Sequence, residues 1–190
     1  MLDTFRQLLI DNDLMFEAPI KDLDKSSCNS KKVVIDFDKV KDTFRNKHGL
    51  NPTPKSADAL LLEDKKLIFI EMKDLTKVME QLNEISSEQR KEKLSLLFYE
   101  NFRADEKLID SYALILKLAN ELGISNDFYP FLISDACQKH FFFVLKISSR
   151  DYVRTRLSFL TWKIRFQYLI FDKVDFIQAN FLDRALDKLK

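Results

Sequence analysis

The stretch Asp58-Ala-Leu-Leu-Leu-Glu-Asp-Lys-Lys-Leu-Ile-Phe-Ile-Glu-Met-Lys73 decides the fold. Two apolar runs, 58–62 and 67–72, flank the four charged residues Glu63 to Lys66, which is the pattern of a β-hairpin. The turn holds no glycine, so its type stays open. Apolar residues occupy both parities of each run, and a strand apolar on both faces is covered on both faces. The stretch therefore predicts an α/β domain with a central mixed sheet flanked by helices.

Upstream, Leu2, Phe5, Leu8 and Leu9, continuing to Phe16, carry helical periodicity, and Pro19 opens a polar loop. Lys32 to Phe37 reads as a short strand, with Asp38 capping a helix that buries Val40 and Phe44 and ends near Gly49. Downstream, Thr76 to Ile85 reads as a helix, and Ser86 to Gln89 as a capping box opening a second, basic one. A third runs from about Asp105 to Leu122, with Gly123 as its stop. Phe128 to Ile133 and His140 to Ile147 read as strands, the first at an edge because of Pro130. Alternation over Leu160 to Ile170 predicts another strand, and Val174, Ile177, Phe181, Ala185 and Leu189 an amphipathic closing helix.

The 190 residues suit one domain, and 46% hydrophobic content with 17 phenylalanines is enough for a sizeable core. Two glycines in the whole chain exclude a glycine-built phosphate loop. The formal charge is +1, so a polyanion must be met by a local basic patch. Cys28 and Cys137 form no CxxC pair, which fits reduced thiols in a cytoplasmic protein. No stretch approaches the roughly 18 to 20 apolar residues of a membrane span, and the start lacks a secretory pattern.

Symmetry about the Asp64-Lys65 turn pairs residue 63 with 66, 60 with 69 and 58 with 71. Asp58 then faces Glu71, with Cβ atoms roughly 4.5–5.5 Å apart on one face of the sheet. Lys73, two residues on, shares that face. Two carboxylates and the free main-chain carbonyl of Met72 suit Mg²⁺ or Mn²⁺, oxygen-seeking ions that keep several waters and accept phosphate oxygens. A lysine beside them orients the attacking water and offsets charge building on phosphorus oxygens. Acid, acid and lysine together read as phosphodiester hydrolysis.

The segment from Lys55 to Leu82 resembles the PD-(D/E)XK nuclease superfamily, with an acid opening one strand and E-x-K closing the next before a helix. Ala57 stands where a proline would complete the first pair of that motif. The resemblance implies a restriction-endonuclease-like fold, with a motif core at about 31–147 and an extension at about 148–190. It implies catalytic roles for Asp58, Glu71 and Lys73, support from Gln81, Mg²⁺ as cofactor, and a nucleic acid substrate, DNA before RNA, in restriction, repair or defence. Such nucleases often act as dimers or with an accessory subunit. An added N-terminal acid is also implied, with Glu17, Asp36 and Asp38 as candidates.

Acid-x-Lys also occurs at Glu63-Asp64-Lys65, Asp64-Lys65-Lys66 and Asp105-Glu106-Lys107, and these are read as chance or loop chemistry. Arg150, Arg154 and Arg156, with Lys163, Arg165 and Gln167, either track a phosphate backbone or form a solvated basic face. His48 and His140 are not spaced as a metal pair, and His140 is read as structural. Two other readings of the hairpin end remain: a plain rim salt bridge, and a degenerate nuclease fold serving as a non-catalytic nucleic-acid-binding or protein-interaction subunit.

Overall fold

The computed structural model describes residues 1–24, 27–49, 54–97, 100, 102–158 and 170–189, with backbone only at 91, 95 and 154–158. Helix α1 (Leu2–Asp11) leads to β1 (Glu17–Pro19), α2 (Ile20–Leu23), β2 (Val33–Asp36), α3 (Phe37–His48) and the hairpin β3 (Ala59–Glu63) and β4 (Lys66–Asp74). Four helices follow, α4 (Thr76–Leu82), α5 (Ser87–Leu96), α6 (Ala104–Glu121) and α7 (Ser125–Ile133). The chain closes with β5 (Gln138–Lys146), α8 (Ser149–Ser158), β6 (Lys173–Gln178) and α9 (Leu182–Asp187).

The strands form one six-stranded sheet in the order β1-β2-β3-β4-β5-β6. β1 to β4 run antiparallel, while β4, β5 and β6 are parallel, so the sheet is mixed. The expected register holds over the strand, where Glu63 pairs with Lys66, Leu60 with Phe69 and Ala59 with Ile70, and the ladder ends one pair short of the expected Asp58–Glu71. Asp64 supplies the positive φ, 49°, that the glycine-free turn requires.

Both faces are covered, as strands apolar at every position demand. Leu60, Leu62, Leu67, Phe69, Phe141 and Phe143 meet α1, α3, α6 and α7 on one side. Leu61, Ile68, Ile70, Phe142 and Val144 meet Ile20, Leu182 and Leu186 on the other. Phe69 and Phe141 are fully buried with centroids 6.0 Å apart, each ring contributing about 1.5–3 kcal/mol by leaving water. The Ser86 cap is present, its hydroxyl accepting from the Gln89 N–H at 3.4 Å. No described helix is long and apolar enough to cross a membrane.

Five local expectations need correction. The helix begun at Leu2 stops at Asp11, because Asp13 turns the chain with a φ of 56° and 17–19 pairs with β2. Asp36, not Asp38, caps α3, accepting from the Lys39 N–H at 3.1 Å. Residues 128–133 are helical: Phe128 and Leu132, one turn apart, both face the core, and that packing outweighs the intrahelical bond that Pro130, inside the helix, cannot donate. The closing segment is divided, because 173–178 lies along β5 and buries Val174 and Phe176 at strand spacing before α9 begins. His140 heads no strand; it lies two residues inside β5. The alternating segment 160–170 lies outside the described residues apart from Ile170.

Candidate active site at the carboxyl end of the hairpin

β4 outruns β3 by several residues, which leaves its end without an antiparallel neighbour. Asp58 fills that place: its main-chain carbonyl accepts from the Phe37 N–H at 3.1 Å, and its Oδ2 accepts from the Met72 N–H at 2.6 Å. In an extended strand a residue's N–H and C=O project from the same edge, so the Met72 carbonyl also faces the Asp58 side. Glu71 continues the row of Leu67 and Phe69 toward the α6 face and is fully buried. Lys73 follows on that face, its Nζ 2.5 Å from Glu71 Oε1 and 5.7 Å from the centre of the Phe102 ring.

A fourth member arrives from α6. Lys107 Nζ lies 2.6 Å from Glu71 Oε1 and 3.6 Å from Asp58 Oδ1. The third acid-x-Lys string lies on a helix, not a loop, and its lysine alone, not the spacing, joins the site. The helix also fixes the approach to Asp58. Asp110 accepts from the Lys55 N–H at 2.7 Å, and the buried Ser111 hydroxyl accepts from the Ala57 N–H at 2.8 Å. One helix thus positions both Lys107 and the acid it contacts. A polar stripe was the available signal, since Lys107 and Ser111 share the face of α6 that buries Ala104, Leu108 and Ile115.

Two carboxylates this close, with little water, resist full ionisation. Burial and then the Asp58 charge lift Glu71 from 4.5 to about 7, while Lys107 and Lys73 restrain the rise. Burial also raises Asp58, against the pull of the two lysines. For Lys73, burial opposes the charge, but Glu71 and Asp58 outweigh it and hold the ammonium above its ordinary value. Both lysines bond Oε1 of Glu71; Oε2 is buried and has no hydrogen-bond partner. A buried carboxylate oxygen with no partner is costly unless something positive comes to it.

No group of three or more His, Cys, Asp or Glu is arranged to hold a metal among the described residues. Two carboxylates and one main-chain oxygen still fit Mg²⁺, which takes one or two protein carboxylates and keeps waters for the rest. Of the three N-terminal acids, Glu17 lies on β1, three strands or roughly 14 Å from β4 at sheet spacing. Asp36 is committed to its cap. Asp38 takes bonds from the Ser56 hydroxyl at 2.7 Å and Lys41 at 2.6 Å, and its charge is felt at Asp58.

Gln81 is not brought to the site. The short α4 buries Met79 and Leu82, leaving Gln81 exposed beside a groove of about 340 Å³ shared with Lys93 and Leu97. Arg150 is exposed on α8. The side chains of Arg154 and Arg156, and the whole of Lys163 and Arg165, lie outside the described residues, as does Gln167. His140 is buried in β5 and its Nδ1 lacks a partner. No family model, no curated protein and no solved structure matches the chain.

Proposed function

We propose that this chain is a Mg²⁺-dependent nuclease with a restriction-endonuclease-like fold that hydrolyses phosphodiester bonds, in DNA before RNA. The observation that carries the reading is the convergence of Asp58, Glu71 and Lys73 on one face at the open end of β4, with one oxygen of a fully buried glutamate lacking any partner. Asp58, Glu71 and the Met72 carbonyl would hold the ion. A bound divalent ion supplies positive charge to a phosphate oxygen and makes a water more acidic. Lys73, partly exposed and fixed by Glu71 and the Phe102 ring, offers its ammonium to the attacking water and to charge gathering on the phosphate. Burial of Glu71 keeps the field of this small charge set unscreened. Arg150 and the four basic residues after it are the proposed contacts to the backbone of the nucleic acid. Cys28 and Cys137, both free and buried, accord with a reducing, cytoplasmic setting.

The test is direct. Purified protein should cut plasmid or single-stranded DNA with Mg²⁺ or Mn²⁺ and not with EDTA, and Lys73→Ala should lose the cutting while remaining folded. Equal cutting by Lys73→Ala would overturn the reading. RNA in a parallel reaction decides between the two nucleic acids.

A second reading has one observation in its favour. Two lysines already balance the two carboxylates, as expected of an ion cluster kept for structure in a non-catalytic nucleic-acid-binding or protein-interaction subunit. Binding of nucleic acid unaffected by EDTA and without cutting would select it.

A further inference from the structure

Lys73 touches only Glu71 within the acid pair, whereas Lys107 touches both acids, 2.6 Å from Glu71 and 3.6 Å from Asp58. An ion ligated by Asp58 Oδ1 and Glu71 Oε1 would stand where this ammonium stands. Charge makes the same point. Even with both acids ionised, two ammonium groups already balance the two carboxylates, so adding a divalent ion without moving a lysine places at least two uncompensated charges in a poorly solvated site. Lys73 is held by its strand and by the Phe102 ring. Lys107 hangs from the first turn of α6 on a flexible four-carbon stem, with 16% of its side chain open to solvent, and so has somewhere to go.

We propose that Lys107 is a tethered cation that competes with a divalent ion for the oxygens of Asp58 and Glu71, and so sets how tightly the site holds that ion. It occupies the acids when no ion is bound and swings to the rim when one arrives. This rests on the metal-dependent reading above, and it makes Lys107 a positioning residue, acting through the two acids. Its prediction is opposite in sign to that for an ordinary structural salt bridge: removing the lysine strengthens a binding event.

The experiment is Mn²⁺ binding to the full chain, followed by calorimetry and by the Mn²⁺ electron paramagnetic resonance signal. Lys107→Met should bind Mn²⁺ at least about tenfold more tightly than wild type, and Lys107→Arg, which keeps the charge and forks across carboxylates, should bind no more tightly than wild type. Circular dichroism checks the fold; if Lys107→Met does not fold, Lys107→Gln, nearly as long and neutral, carries the same expectation. Equal affinity in wild type and the neutral variant overturns the competition and leaves the metal site standing. Absence of Mn²⁺ binding in every protein takes down the metal reading, and the competition with it.

Discussion

Lys139, at the amino end of β5, and Lys107, over the carboxyl end of the neighbouring β4, are both largely buried lysines set against carboxylates, yet their surroundings differ in kind. Lys139 Nζ donates to the carbonyls of Leu132 at 2.8 Å and Cys137 at 3.3 Å and lies 3.3 Å from Asp172. Burial alone would raise the Asp172 carboxyl, but the Lys139 N–H and ammonium overcome it and hold it below the usual range. At the other end the acids go up, not down, because burial raises both and the Asp58 charge raises Glu71 further. The contrast separates a group whose partners complete it from one whose partners do not. Only the second has an unmet demand to place on a ligand.

The largest break in this comparison is in activity. Lys73→Ala should lower Mg²⁺-dependent cutting by about 10²–10³-fold, the loss typical of one transition-state donor, as measured by initial rates on plasmid. Next come two pH effects of opposite sign. Folded Glu71 releases its proton near 7, against 4.5 for the ordinary carboxyl, so stability is fullest below 4.5 and declines as pH rises to 7. Folded His140 is held near 4 by burial and by Lys173, against an ordinary 6.5, so stability is full above 6.5 and declines as pH falls to 4. Each is worth up to about 3 kcal/mol. Urea unfolding should show Glu71→Gln gaining on wild type between pH 4.5 and 7, and His140→Leu gaining as pH falls from 6.5 to 4. Parallel curves for wild type and variant would remove that residue from the comparison.

The smallest effect sharpens the contrast from the quiet side. Lys139→Met should cost about 1–3 kcal/mol in unfolding free energy, from carbonyls left unpaired. Its cutting per folded molecule should match wild type. A fall in rate without a fall in stability would mean that the two ends are coupled.

The hairpin was legible because its information is local. Two apolar runs and a charged turn leave a single register that keeps Asp58, Glu71 and Lys73 on one face, and a one-residue slip would have inverted them all. Lys107 was not legible as a partner: 34 residues separate it from Lys73, and only tertiary packing of α6 brings them together. Aromatic residues around Pro130 misled in another way, since Phe, Tyr and Ile suit strands by propensity while packing made the segment a helix. The strand at 173–178 was hidden because Val174, Ile177, Phe181 and Ala185 also fit a helical spacing. The polar ends of elements were read less well than their apolar middles, as with Asp36 and Asp38.

The anchoring of residues 55–57 by Asp110 and Ser111 also bears on the order of assembly. A β-hairpin closes in about 1–10 μs, whereas contacts that span fifty residues wait on a much larger loop closure. Ala57 and Ser111 are 54 positions apart. On that ordering, Asp58 and Glu71 are expected to meet before any lysine from α6 reaches them, and the early hairpin to carry a like-charge clash at one end. A divalent ion or a proton present at that moment relieves it, so refolding of the β3–β4 unit should be quickened by whatever neutralises the acids first.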